Sequence, residues 1–161
     1  MLRVEKRAPP DISDSRVVRR LSLPFEIRQK RRFRALLEDG TQVAIFLPRS
    51  SRLMDGDRLE ADDGSLIKIV AAPEPLLYVT ASSCQALVRA AYHLGNRHTP
   101  VEVGDGFLKL ENDSVLKQML DRLEVHVREA QLPFQPESGA YGGGHGHEFQ
   151  SENEPHLPEH S

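Results

Sequence analysis

The sequence predicts an α+β protein: an N-terminal all-β region, then a second unit of alternating strands and helices, then a polar tail. Three observations carry this. Aspartate–glycine turn signals at Asp39-Gly40, Asp55-Gly56 and Asp63-Gly64 separate short β-prone runs in the first 73 residues. The apolar period changes to a helical one after Ala71-Ala72-Pro73-Glu74-Pro75, where two prolines in three residues mark a boundary. Beyond Pro136 almost nothing apolar remains to pack.

Taken in order, Arg16–Leu21 is a first candidate strand. Arg32–Leu37 and Thr41–Leu47 form a hairpin about Asp39-Gly40. Arg58–Ala61 and Ser65–Val70 flank Asp63-Gly64. This spacing suggests a barrel-like or sandwich-like unit over residues 1–73. Leu76–Thr80 reads as a strand. Ser82 and Gln85 have the spacing of a capping box, and Cys84, Leu87, Val88, Ala91 and Leu94 recur as one helical face. Gly95 stands where a left-handed cap would end that helix. Cys84 on this face is expected to be a buried small residue. Val101–Val103 and Phe107–Leu110 are strands. Asp113 or Ser114 caps a second helix whose apolar face is Val115, Leu116, Met119, Leu120 and Leu123. Val125–Val127 is the last strand. The order βαββαβ over residues 74–141 is the ferredoxin-like arrangement. Residues 142–161, opening on Gly142-Gly143-Gly144, read as a disordered histidine-bearing tail.

The bulk properties bound the function. A chain of 161 residues with 39% hydrophobic and 28% charged residues is expected to fold as one or two small soluble domains. Thin cores in two small domains favour oligomerisation. A net charge of −3 supplies no global attraction to nucleic acid or anionic membrane. No apolar run approaches the roughly 20 residues of a membrane span, and residues 1–7 lack the apolar core of a signal peptide. The cytoplasm is the expected compartment, in keeping with the lone Cys84, which has no intrachain partner. No nucleophilic triad, phosphate loop, dinucleotide fingerprint or paired-cysteine zinc pattern is present, so no enzyme is expected.

Histidine is the chemistry-bearing residue that stands out. Four of the seven histidines lie in the last 17 residues. His145 and His147, two apart on a flexible backbone, can chelate; His156 and His160 are separated by Pro158. A neutral imidazole ligates nickel, copper or zinc. His98, three residues past Gly95 and two before Pro100, is one ligand at most within a single chain. On spacing alone it is a surface histidine. On the axis of a twofold dimer it becomes two ligands. His93, in the last helical turn, and His126, between Val125 and Val127, read as surface residues. The basic run Arg28-Gln29-Lys30-Arg31-Arg32-Phe33-Arg34 has only Phe25 and Phe33 near it for base stacking. A solvated strand face or protein-docking surface is the better reading than nucleic-acid binding.

Three segments together resemble the urease accessory protein UreE family. They are Tyr92-His93-Leu94-Gly95-Asn96-Arg97-His98, with its Gly-Asn-Arg-His signature; Gln131-Leu132-Pro133-Phe134 followed by Pro136–Tyr141; and Leu53-Met54-Asp55-Gly56-Asp57. The resemblance implies a peptide-binding-type β domain, a ferredoxin-like metal-binding domain, and a homodimer with His98 of both subunits at a shared nickel site. It also implies delivery of nickel to the urease apoprotein with further accessory proteins, including the GTPase UreG. The segment Glu111–Ser114 lacks the extra histidines some members carry, and a four-histidine tail implies little nickel storage. A rival expectation is a peptide-binding or folding-assistance module in which metal binding is incidental.

Overall fold

A computed structural model describes residues 1–9, 11–12, 18–48 and 52–138. The N-terminal half contains β1 (Leu2–Arg7), β2 (Val18–Leu23), α1 (Phe25–Arg28), β3 (Arg32–Leu36), β4 (Gln42–Phe46), β5 (Arg58–Ala61) and β6 (Leu66–Ala71). These strands form one sheet in the order β2-β6-β5-β1-β4-β3. The two hairpins read from sequence are present: β3 pairs antiparallel with β4, and β5 with β6. Their turns rest on Gly40 at φ 85° and Gly64 at φ 82°, the left-handed region open to glycine.

The sheet curls on itself. At the β3–β4 turn, Glu38 N–H donates to Arg20 O at 3.0 Å, and Arg20 lies 3.6 Å from Glu38. Val4, Leu21, Val43, Ile45, Leu59, Ile67 and Ile69 fill the interior with no exposed surface. Strand β1 is absent from the sequence reading, because Leu2 and Val4 are the only apolar residues of its six. It enters the sheet parallel to β4, between β4 and β5.

The C-terminal half contains β7 (Glu74–Thr80), α2 (Cys84–Asn96), β8 (Glu102–Val103), β9 (Leu108–Glu111), α3 (Ser114–Asp121) and β10 (His126–Leu132). The strand order is β10-β7-β9-β8, antiparallel at each pairing. Leu77, Val79, Leu108 and Leu110 from the sheet pack with Ala90 and Leu94 of α2 and Leu120 of α3. Asp113 caps α3, accepting from Val115 N–H at 2.8 Å and Leu116 N–H at 3.0 Å. Val115, placed on the α3 core face by sequence, is exposed instead. The chain is thus an N-terminal β-rich region followed by an α+β region. The tail, residues 142–161, lies outside the described residues.

The two halves share a third core. Phe25 of α1 meets Phe134 edge to face at 5.5 Å between centroids, with Leu76 and Leu132 around them. Arg28 is fully buried here. Its Nε donates to Leu23 O at 3.1 Å, its Nη1 to Leu53 O at 3.4 Å, and its Nη2 to Phe134 O. This corrects the reading of the basic run as a uniform surface: its first member joins the N-terminal sheet to the segment after β10. Burial lowers the Arg28 pKa, and Glu74 opposes that shift. An arginine remains charged regardless, so the three carbonyls stay matched to a cation. The same segment is held by Gln135 N–H to Glu102 Oε1 (2.7 Å) and Glu137 N–H to Val101 O (2.8 Å).

Candidate metal centre

The site is built on α2 and what ends it. Ser83, not Ser82, is the N-cap; its hydroxyl accepts from Ala86 N–H at 3.1 Å. Ala86, Ala90 and Leu94 are the buried row, with Leu87 and Ala91 beside them. The core face is therefore rotated from the one read in sequence, and two expectations change. Cys84 is exposed rather than buried. Val88 is 62% exposed, and Tyr92, one turn on, is 64% exposed. Residues 84, 88, 92 and 95 recur at helical spacing on a side the chain leaves uncovered. Next to it lies a groove of about 470 Å³, lined by Cys84, Leu87, Val88, Val103 and Phe107 among others.

The helix does not stop at Gly95. It runs through Gly95 to Asn96, and the left-handed residue is His98, at φ 54°. Among the described residues His98 is the only non-glycine with positive φ. The closing bonds explain it. His98 N–H donates to Gly95 O at 3.0 Å, and Thr99 N–H reaches back to Leu94 O at 3.4 Å. A five-to-two bond with a six-to-one bond is the Schellman pattern, which requires its C′ residue in the left-handed conformation. His98 occupies C′, and Pro100 two residues on prevents helix from resuming. Histidine tolerates this region better than most side chains but less well than glycine. The result is an exposed imidazole on a backbone fixed by two hydrogen bonds.

Among the described residues, no group of three or more histidine, cysteine, aspartate or glutamate side chains could hold a metal ion. His93 is half-buried, its ring edge to face with Tyr92 at 5.3 Å. His126 is exposed, as its alternation in sequence suggested, with Nε2 3.3 Å from Ser82 Oγ. His145 and His147, like His156 and His160, lie outside the described residues. What the sequence reading missed is the uncovered row on α2. Its signal was present: apolar or small residues at 84, 88 and 92, offset by two from the 86, 90, 94 row.

Comparison with known proteins converges on one family. Residues 4–72 match the UreE urease accessory protein N-terminal domain, and residues 74–161 match its C-terminal domain. The urease accessory protein UreE of Burkholderia vietnamiensis is 56% identical over 151 residues, covering 91% of this chain and 76% of that protein. That of Burkholderia orbicola is 54% identical over 151 residues, covering 91% and 74%. That of Cupriavidus necator is 52% identical over 151 residues, covering 91% and 79%. With both halves matched in order, and likeness over 91% of the chain to relatives of one name, the chain belongs to the UreE urease accessory protein family.

Proposed function

We propose that this chain is a homodimeric nickel metallochaperone for assembly of the urease active site, with one ion held between the His98 side chains of two subunits. It is an accessory protein and not an enzyme. The observation that carries the reading is His98 itself. It is exposed, set by its backbone just past the end of α2, outside any described group of three or more metal-ligating side chains, and next to a helix with an uncovered apolar row. A twofold axis at this end of α2 would cover Val88 and Tyr92 and double the histidine at once.

His145 and His147 then complete or load the site from the tail. The chemistry is ligand exchange. Neutral imidazoles hold the ion, a better-matched donor set takes it, and no substrate bond breaks. Because divalent affinity follows the ligand set, zinc and copper compete at the same nitrogens. The receivers are the urease apoprotein and fellow accessory proteins, UreG among them, in the cytoplasm. We read residues 1–73 and 74–141 as the two domains, since β6 ends at Ala71 and β7 begins at Glu74. The strand order β10-β7-β9-β8 with two crossover helices supports a ferredoxin-like second domain.

The test is nickel calorimetry at substoichiometric metal. Wild type should bind one ion per dimer tightly. His98→Ala should abolish that event, and deletion of residues 142–161 should lower stoichiometry or affinity while sparing it. Tight binding unchanged by His98→Ala would overturn the proposal.

A further inference from the structure

The loop that carries His98 is thinly anchored by its neighbours in sequence. On one side stand the two bonds that end α2. On the other, β8 is an edge strand of two residues, with Glu102 opposite Lys109 and Val103 opposite Leu108 of β9. A strand that short holds a loop weakly. Pro100, between the two, has no N–H to bond.

Support comes from the segment after β10. Leu77 and Val79 face the helices, so Leu76 faces the other side of the sheet, where Phe134 packs with it. Residues 133–137 cross that outer side as a strap. Lys109, opposite Tyr78 and Glu102 in the ladder, lies on the same side, and its Nζ donates to Pro133 O at 3.1 Å. Lys109 also pairs with Glu102 Oε2 at 3.0 Å, the two side chains only 14% and 18% exposed. A pair so sheltered is screened little by salt. Glu102 Oε1 accepts from Gln135 N–H at 2.7 Å. From the N-terminal half, Arg28 holds Phe134 O and Arg52 holds Pro136 O. The strap then bonds the loop itself: Glu137 N–H donates to Val101 O at 2.8 Å, three residues beyond His98.

We propose that Glu102 and Lys109 are positioning residues for His98. Their ion pair fixes the strap, and the strap fixes Val101, so the loop is held from both sides. This rests on His98 as the nickel ligand and adds what keeps that backbone in place before the ion arrives. Ligands held in advance by the groups behind them bind metal more tightly. The effect runs through the loop and not through the tail.

The experiment compares Glu102→Ala, Glu102→Gln and Glu137→Pro with wild type, as full chains, by amide exchange without metal and by nickel calorimetry. Alanine removes both the ion pair and the acceptor for Gln135. Glutamine keeps the acceptor. Proline removes only the N–H that bonds Val101, at an exposed residue. Glu102→Ala and Glu137→Pro should speed exchange at His98 and Thr99 and weaken tight nickel binding about tenfold, while Glu102→Gln stays within about threefold of wild type. The loss should be the same when residues 142–161 are deleted. Asp39→Asn, which weakens the β3–β4 turn, serves as the control for a merely structural effect and should keep wild-type nickel affinity. If Glu102→Ala and Glu137→Pro behave like that control, with affinity and exchange at His98 and Thr99 unchanged, the inference is overturned. A loss confined to the chain that keeps residues 142–161 overturns it as well, since the strap would then act on the tail. Tight nickel binding that survives His98→Ala is the distinct result that removes the metal site and this inference with it.

Discussion

Replacing His98 by glycine should make the apoprotein more stable while removing its metal ligand. An L-residue in the left-handed region pays about 1–2 kcal/mol through contact of Cβ with the following carbonyl. His98 adopts that region, at φ 54°, because the Schellman bonds from His98 N–H to Gly95 O and Thr99 N–H to Leu94 O demand it. Alanine at 98 keeps Cβ and so keeps the strain. Glycine removes it, but its freer unfolded chain offsets about 0.4–1 kcal/mol. The net expectation is that His98→Gly exceeds His98→Ala by about 0.5–1 kcal/mol. For a chain of this size that is about 1–4 °C in Tm. Urea and thermal unfolding should be run with chelator, at equal protein concentration, so that neither metal nor dimer linkage contributes. Both variants should lose the tight nickel event equally. If His98→Gly is no more stable than His98→Ala, the backbone at 98 is not strained. If either variant keeps tight nickel, His98 is not the ligand.

Arg28→Met should destabilise by about 3–5 kcal/mol, because it fills the space but strands the carbonyls of Leu23, Leu53 and Phe134, a loss visible in the urea midpoint. Val88→Glu should leave secondary structure intact and shift sedimentation toward monomer, since Val88 is exposed in one chain and would be covered in a dimer of the proposed kind. The Asp39 and Asp63 carboxyls are held below their usual range by the side chains and amides of Thr41 and Ser65. Depressed carboxylates stabilise above their unfolded pKa. The difference between wild type and Asp39→Asn/Asp63→Asn should therefore persist at neutral pH and fade as pH drops below about 4, in pH-resolved unfolding curves.

Local chemistry made most of the fold legible. Asp-Gly pairs located the hairpins of β3 with β4 and β5 with β6, because only certain backbones close such turns. The change from alternation to a helical period located α2 and α3. Strand β1 escaped because four of its six residues are charged; its membership is decided by β4 and β5, which flank it in the sheet and lie distant in sequence. His98 was legible as a residue and as part of a signature, but its left-handed backbone was not.

Glycine at 95 looked like the cap, and the helix ran past it. Which residue turns left-handed depends on where the last helical bonds fall, and Leu94, buried in the core, accepts one of those bonds. Arg28 likewise read as one more surface cation. Its partners, Leu53 and Phe134, are 25 and 106 residues away. Periodicity and turn chemistry are local and can be read along the chain. The outward row of α2, the buried arginine and the orientation of His98 depend on which distant residues arrive beside them, and only the assembled tertiary structure decides that.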